Sequence, residues 1–104
     1  MTDPERTLAK LIERWPLCFS ADAPRPLAIG VFHDLRRAAP EIDADELSDA
    51  LAAYTQTDAY LTELTRKKAR RVSLSGEPVA HVGKEDAERA RRMLGERRLE
   101  RRAR

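Results

Sequence analysis

Basic side chains are concentrated in the C-terminal part of the chain, where they could bind a polyanion. Residues 66–104 contain 14 Lys or Arg and 6 Asp or Glu, whereas residues 1–65 contain 6 and 12. The densest group consists of Arg66, Lys67, Lys68, Arg70 and Arg71. Lys and Arg form charge-assisted hydrogen bonds with phosphate, and each neutralised phosphate releases counterions. The charge distribution therefore indicates either a nucleic-acid partner or a long solvated helix rich in arginine, and charge alone does not decide between them.

The residue types that support catalysis or metal binding are few and isolated. His33 and His81 fall on different predicted elements without a second ligand at metal-binding spacing. Cys18 is the single cysteine, so no intramolecular disulfide can form. It is either a small buried thiol or a reactive nucleophile, and no neighbouring His or Asn supports the second interpretation. Because the sequence also lacks a glycine-rich phosphate loop and a nucleophile elbow, we predict no enzyme activity, no metal and no other cofactor.

Apolar residues at helical spacing predict five helices that would position the basic groups. Leu8, Leu11, Ile12 and Trp15, for example, recur on one face of the first helix. The predicted helices cover about residues 4–14 and 27–39 and begin at Asp43, at Thr57 or Asp58, and at about Lys84. In the second helix we expect Ile29, Phe32 and Leu35 to point inward.

Polar and apolar residues alternate in the segments Arg71–Leu74 and Val79–Val82. The residues between them, 75–78, have the composition of a turn, so the pattern predicts a β-hairpin. Two strands alone are marginal in water, so this hairpin must pack on the helices. The predicted fold class is α+β and mostly α: a compact bundle of about five helices with one β-hairpin before the last helix. Because no apolar stripe continues beyond Gly95, we predict one domain over residues 1–95 and a frayed or disordered basic tail over 96–104.

Five segments resemble, in order, the motifs of the ProQ/FinO domain family. Arg25–Leu35 is similar to the family's RPLxIGIxxDL, and Arg14–Phe19 is similar to its R-[FW]-P-x-[CA]-F. Leu47–Thr55, together with Tyr60-Leu61, resembles LxxALxxYT…YL. Arg71–Gly76 resembles RVDLxG, and Ala90–Leu94 resembles A-x-x-x-L. Together they cover about residues 8–95, and five motifs in the same order make the resemblance specific.

The resemblance implies a compact helical domain with one β-hairpin and an RNA partner. Family members are bacterial RNA chaperones or regulators of small RNAs that recognise the base of a stem-loop and its 3′ single-stranded end. The implied function is therefore RNA binding, as an RNA chaperone or post-transcriptional regulator. The expected partner is a structured RNA, either a small RNA or an mRNA 3′ end, with no membrane, no small-molecule substrate and no cofactor. We expect a monomer.

Tyr60, Arg71 and Arg25 match family positions, and the resemblance places Tyr60 on the RNA-facing surface with Arg71 nearby. A tyrosine ring can stack on an unpaired base, although Tyr60 also has the spacing of a core residue beside Leu61 and Leu64. Arg71 could bind a phosphate at two points, or it could be an exposed cross-strand charge. Arg25 could bind phosphate or brace its loop. Both interpretations of each residue stay open at this point.

Several positions depart from the family pattern. Ala28, Ser48 and Ala52 stand where relatives often carry Lys or Arg, and Ser73 replaces an aspartate. Asp45, like its neighbour Glu46, lies at a helix start that in the family presents N–H groups to phosphate, where a carboxylate competes for those donors. Either the binding surface has moved towards Arg66, Lys67, Lys68, Arg70 and Arg71, or the affinity is low.

The main alternative is a protein-interaction module with a basic tail and only weak, non-specific nucleic-acid binding. An acidic first half and a basic second half are compatible with a protein partner. The sequence contains no apolar run of the roughly 20 residues that a membrane span needs, and the first residues do not resemble a signal peptide. We therefore expect a cytoplasmic protein.

Overall fold

The computed structural model describes residues 3–103, which form five helices and a two-stranded antiparallel hairpin before the last helix. This arrangement confirms the predicted fold class. The elements, in chain order, are α1 (Pro4–Arg14), α2 (Val31–Ala38), α3 (Ala44–Thr55), α4 (Asp58–Leu64), β1 (Arg70–Val72), β2 (Pro78–His81) and α5 (Lys84–Ala103).

Polar side chains cap the first turns of α1, α3 and α4. The Asp3 carboxylate accepts a hydrogen bond from the N–H of Arg6, and Asp43 caps α3 in the same manner. The Thr57 hydroxyl accepts from the N–H of Tyr60 at 3.1 Å. Such caps satisfy N–H groups that have no partner within the helix, at about 1 kcal/mol each. The cap at Thr57 fixes the start of α4 and with it the inward position of Tyr60.

The core lies where α1 packs on α3 and α4 packs on α5. Its largest fully buried side chains are Phe19, Leu11, Leu35, Leu47, Val72 and Cys18. Burial of one such aliphatic or aromatic side chain contributes about 1.5–3 kcal/mol. The packing of α4 on α5 concerns function, because it forms the walls of two surface depressions.

The second helix begins four residues later than predicted. Leu27 forms a parallel bridge with Val72, so this residue extends the hairpin instead of starting a helix. Gly30 then adopts a left-handed φ of 89° and caps α2. The expected inward position of Ile29 is wrong, since this residue is 83% exposed, whereas Leu35 is fully buried as predicted.

The hairpin pairs Arg70 with His81 and Arg71 with Ala80, and a bulge follows Arg71. Both strands begin one residue earlier than predicted, and β1 ends two residues earlier. The turn contains Gly76 at a φ of 84°, where a Cβ atom would come within 2.7 Å of the Leu17 Cβ. Glycine is therefore required both by the backbone conformation and by the close approach of the preceding loop.

The basic segment after Gly95 is helical and not frayed, so this part of the domain prediction needs correction. Helix α5 continues to Ala103, although α5 has no pronounced apolar face in this part. Arg97 donates a hydrogen bond to Asp58 at 2.8 Å, and Arg101 donates to the other oxygen of the same carboxylate. Two ion pairs to the start of α4 therefore fix the last turns of α5 to the rest of the domain.

Protonation of Asp58 is expected to loosen these last turns. Hydrogen bonds from Arg97 and Arg101 lower the pKa of Asp58 below its usual range. A carboxyl group with a lowered pKa stabilises the fold above its unfolded-state pKa and ceases to do so as the pH falls through the lowered value. The Cα secondary chemical shifts of residues 96–103 should therefore move towards coil values as the pH falls below about 4.

Asp58→Asn is the matching control for this titration, because it removes the ion pairs without acid. We expect reduced helical shifts over residues 96–103 in Asp58→Asn at neutral pH, followed by a smaller change on acidification than in the unmodified protein. Wild-type shifts in this variant at neutral pH would show that the ion pairs do not maintain the helix.

Candidate nucleic-acid interface

A cleft of about 460 Å³ opens where α4, β1 and the first turns of α5 meet the end of α3. Its lining consists of Thr55, Gln56, Tyr60, Leu61, Leu64, Arg71, Asp86, Arg89, Ala90 and Met93. The aliphatic side chains come from α4 and α5, and the charged groups come from β1 and α5. Apolar walls with a few placed polar groups suit a ligand that has both a flat apolar part and a charged part.

Tyr60 borders this cleft and also belongs to the core. Its exposed fraction is 3%, and its hydroxyl oxygen accepts a hydrogen bond from the N–H of Leu27 at 3.0 Å. Its ring centroid lies 5.6 Å from that of Tyr54. Burial raises the pKa of Tyr60, so the phenol stays protonated at neutral pH. Most of the Tyr60 ring therefore belongs to the hydrophobic core, and the stacking of a base on this ring stays a prediction.

Arg71 is a buried residue and not an exposed cross-strand charge. Its side chain is 11% exposed; Nη1 donates to the Leu27 carbonyl at 2.8 Å and Nη2 donates to Asp86 at 2.7 Å. Its Nε is buried without a hydrogen-bond acceptor among the described residues. The guanidinium also acts on the Tyr60 hydroxyl, whose pKa it lowers against the effect of burial. Arg71 thus positions the Leu27 segment and α5 around the cleft.

Asp86 and Arg89 complete the charged side of the cleft. The Asp86 carboxylate accepts from Arg71 through Oδ2 and from Arg89 through Oδ1, the latter at 3.3 Å. The side chain of Arg89 is 63% exposed, so its guanidinium is accessible to an incoming anion. Neither Asp86 nor Arg89 was predicted as a site residue from the sequence. The i, i+3 spacing of the two residues was the available signal.

The loop between α4 and β1 presents the basic cluster predicted from the sequence. Arg66, Lys67, Lys68 and Arg70 are exposed, and Lys68 adopts a left-handed φ of 61°. Arg66 donates to Glu63 at 2.9 Å, which offsets part of its charge. Among the described residues that line the cleft, none belongs to this cluster. The structure therefore brings Tyr60 and Arg71 together and leaves the other predicted cations on an adjoining surface.

Arg25 lies outside the cleft, in the loop between α1 and α2. Its Nη1 donates to the Leu17 carbonyl at 3.1 Å, which corresponds to the bracing role considered from the sequence. The side chain is exposed, so a phosphate contact stays a prediction. Nearby Cys18 is fully buried, and burial raises the pKa of its thiol to about 11, although Arg25 acts in the opposite direction. A thiol with this pKa is a weak nucleophile at neutral pH.

The N-terminus of α3 is already occupied by a carboxylate of the chain itself. Asp43 accepts hydrogen bonds from the N–H groups of Asp45 at 3.0 Å and Glu46 at 3.3 Å. A phosphate at this position would have to displace Asp43 and approach two further acidic residues. Ser48 and Ala52 are exposed on the same helix and carry no charge. The cleft and the loop between α4 and β1 therefore carry more positive charge than the N-terminus of α3.

The remaining candidates for site chemistry are scattered. His33 on α2 and His81 on β2 are both exposed and far apart in the chain, and neither lines the cleft. Over residues 3–103, no three or more His, Cys, Asp and Glu side chains are grouped so that they could hold a metal ion. In the same part of the chain, none of the helices combines the length and the apolar character that crossing a bilayer requires.

Sequence relatives match the chain over nearly all of its length. The model of the ProQ/FINO family matches residues 1–104. The protein named RNA chaperone ProQ from Shewanella baltica (strain OS223) is 39% identical over 100 residues, which are 92% of this chain and 47% of that protein. The protein of the same name from Pasteurella multocida (strain Pm70) is 36% identical over 100 residues, again 92% and 47%. The chain spans about half the length of these relatives.

Solved structures show the same fold. The crystal structure of a FinO-like RNA chaperone from Neisseria meningitidis MC58 superposes with a TM-score of 0.72 at 25% identity, covering 85% of this chain and 89% of that chain. The solution structure of a ProQ homologue from Legionella pneumophila gives a TM-score of 0.75 at 30% identity, covering 92% and 84%. Together with the family match, these structures confirm the resemblance indicated by the sequence motifs.

Proposed function

Because the chain belongs to the ProQ/FINO family, we propose that it is an RNA-binding protein whose cleft between α4 and α5 receives the unpaired 3′ end of a structured RNA. Its relatives are named RNA chaperones, which supports a role as an RNA chaperone or post-transcriptional regulator. The observation that carries the proposal is the combination, in one cleft, of an accessible Arg89 guanidinium with the partly exposed apolar side chain of Met93.

Each part of the cleft matches one part of a terminal nucleotide. The partly exposed side chain of Met93 offers an apolar surface for a base, and the Arg89 guanidinium offers donors for a phosphate. The Asp86 carboxylate between the two arginines can accept hydrogen bonds from ribose hydroxyls, including the 2′-OH that distinguishes RNA from DNA. Arg71 lines the cleft and keeps Asp86 in place.

The loop cluster of Arg66, Lys67, Lys68 and Arg70 supplies attraction at longer range. These side chains are exposed and immediately precede Arg71, so a stem that enters the cleft by its single-stranded end passes near them. Their contribution is expected to be independent of sequence and sensitive to salt. The family membership and the ligand-sized cleft support a role in binding. We propose that this role involves no catalysis and no cofactor. We further propose a monomer that acts in the bacterial cytoplasm, where RNA is available.

Arg89→Gln tests the cleft, and Arg92→Gln is its matched control. Both arginines lie on α5, three residues apart, and both are exposed, but Arg92 does not line the cleft. We expect Arg89→Gln to raise the Kd for a hairpin with a 3′ uridine tail about tenfold, since a charge-assisted hydrogen bond contributes about 1.5–3 kcal/mol. Arg92→Gln should stay within about twofold. The measurement is fluorescence anisotropy with labelled RNA.

The same hairpin without its tail gives the second comparison. Removing the tail should weaken binding to the unmodified protein and abolish the difference between Arg89→Gln and Arg92→Gln. Equal Kd values of the two variants for the tailed hairpin would contradict the cleft as the binding site. An unmodified protein that binds no RNA at low salt would favour the alternative, a protein-interaction module.

A further inference from the structure

Helix α5 carries a second basic surface, which is separate from the cleft. A groove of about 430 Å³ lies between α4 and α5 and is lined by Thr62, Thr65, Arg91, Leu94, Gly95 and Arg98. None of the described residues that line the groove is acidic. Arg102 follows Arg98 by one helical turn and therefore extends the same edge of α5. Exposed guanidinium groups along a groove without acidic residues make a surface for an extended polyanion.

The arginines of this edge differ from their neighbours in having few internal partners. Arg97 and Arg101 are paired with Asp58, whereas Arg98 and Arg102 have no carboxylate partner within residues 3–103. Arg91 donates a long hydrogen bond of 3.4 Å to the Thr65 carbonyl and forms no ion pair with another of residues 3–103. The charges at this edge are therefore available to a ligand.

The donors in the groove are almost entirely guanidinium groups. The Thr62 hydroxyl donates to the Asp58 carbonyl and the Thr65 hydroxyl donates to the Thr62 carbonyl, both at 2.7 Å. Arg91 and Arg98 are seven residues, or two turns, apart, which corresponds to about 10 Å along the helix axis. Two charges at this separation fit successive regions of a phosphodiester backbone and offer no pattern that would read bases.

The groove and the cleft lie on opposite flanks of the α4–α5 contact. The cleft uses Asp86, Arg89 and Met93 of α5, whereas the groove uses Arg91 and Arg98, which the helical repeat places on another side of the helix. The two linings have no residue in common. An RNA end in the cleft would therefore leave the groove uncovered.

We propose that this groove is a second RNA site, which binds the phosphodiester backbone of a duplex while the cleft holds the end of another strand. The proposal relies on the proposed function for the class of ligand, and it adds a surface with a separate occupant. A protein with two such sites brings two RNA segments to opposite flanks of one helix pair. Simultaneous binding of this kind would promote the annealing of one RNA to another.

Two probes separate the sites. The first is a short labelled uridine oligonucleotide, which has a free 3′ end for the cleft and no duplex. The second is a labelled dumbbell RNA, a duplex closed by loops at both ends and without a free 3′ end. With the cleft saturated by unlabelled oligonucleotide, the dumbbell should still bind to the unmodified protein. Displacement of the dumbbell would show a single shared site and overturn the proposal.

Arg91→Gln/Arg98→Gln tests the groove against Arg6→Gln/Arg92→Gln, which removes the same charge from exposed arginines elsewhere. We expect the groove variant to bind the dumbbell about tenfold more weakly at about 0.1 M salt. Its slope of log affinity against log salt should flatten by roughly 1.8, or about 0.9 for each lost phosphate contact. Its affinity for the oligonucleotide and the control's affinity for both probes should stay within about twofold.

The outcomes distinguish this proposal from the proposed function of the cleft. Equal dumbbell binding by the groove variant and the control would overturn the second site, whatever the oligonucleotide does. Dumbbell binding that depends on Arg91 and Arg98 in a protein that does not bind the oligonucleotide would support the groove and contradict the cleft. An unmodified protein that binds neither probe would overturn both. Far-UV circular dichroism of both variants checks that the fold is retained.

Discussion

Replacing Tyr60 with alanine is expected to lower the free energy of unfolding by about 3–5 kcal/mol, the range for removing a buried aromatic ring. The ring is 3% exposed, and its hydroxyl oxygen accepts a hydrogen bond from the equally buried N–H of Leu27. The substitution leaves a cavity beside Tyr54 and an unsatisfied donor. Because small domains have a total stability of about 5–15 kcal/mol, part of this variant would be unfolded at room temperature or slightly above.

Tyr60→Phe separates the contribution of the hydroxyl from that of the ring. It keeps the packing and removes only the acceptor for the Leu27 N–H, so a loss of about 1–3 kcal/mol is expected. Urea denaturation followed by circular dichroism measures both variants, and an unchanged m-value would show that the unfolded states are comparable. A loss below about 1 kcal/mol in Tyr60→Ala would contradict the buried position of the ring.

The stability of these variants determines how their RNA binding can be interpreted. A loss of binding in Tyr60→Ala follows from unfolding alone and does not demonstrate base stacking. Tyr54→Phe is the matched control, since its hydroxyl also bonds to the backbone, at Ser20, and Tyr54 does not line the cleft. If the Tyr60 hydroxyl organises the cleft through Leu27 and Arg71, Tyr60→Phe should weaken RNA binding more than Tyr54→Phe at equal stability.

The sequence was sufficient for the elements whose start is encoded locally. Asp3, Asp43 and Thr57 each precede an apolar pattern at helical spacing, and α1, α3 and α4 begin directly after these residues. The hairpin was equally predictable, because its turn contains Gly76 between two alternating segments. Local signals of this kind need no knowledge of what the element packs against.

The errors arose where a distant residue decides the local structure. Leu27 and Ile29 fit a helical pattern, but Leu27 pairs with Val72 and Ile29 lies in the turn that follows. The end of α5 lacks an apolar stripe, yet Arg97 and Arg101 bond with Asp58, 39 and 43 residues earlier. Neither partner is visible from spacing along the chain.

In the candidate site, too, the sequence identified some residues, and others became apparent only from tertiary contacts. The family motifs identified Tyr60 and Arg71, and the structure places both at one cleft. Asp86 and Arg89 were missed because their importance comes from the contact with Arg71, which only the packing of α5 against β1 creates. Ordinary helix residues became candidate binding residues through this one tertiary contact.

Replacing Arg71 with methionine is expected to destabilise the fold by about 2–3 kcal/mol. Methionine keeps an unbranched stem of similar length but removes the donors to the Leu27 carbonyl and the Asp86 carboxylate. A buried acceptor without a donor costs about 1–3 kcal/mol, and breaking a fully buried ion pair costs about 3–5 kcal/mol. The side chain of Asp86 is 33% exposed and keeps its contact with Arg89, so its cost falls well below this second range and the two costs together come to about 2–3 kcal/mol.

Arg71→Met/Asp86→Asn should recover about 1 kcal/mol of this loss, since it removes the carboxylate whose partner has gone. The double variant has the same net charge as the unmodified protein, because one cation and one anion are lost together. Urea denaturation of the two single variants and the double variant completes a double-mutant cycle. Strict additivity of the two single effects would show that Arg71 and Asp86 are not coupled.

RNA binding by the double variant then tests the role of the Arg71 guanidinium directly. If the guanidinium itself hydrogen-bonds to the RNA end, the Kd for the tailed hairpin should stay about tenfold above the wild-type value despite the restored charge balance. If Arg71 acts only by neutralising Asp86, binding should return to within about twofold of the wild-type value. We expect the first result, since the guanidinium lies in the cleft beside Arg89 and a neutral pair provides the packing without the donors.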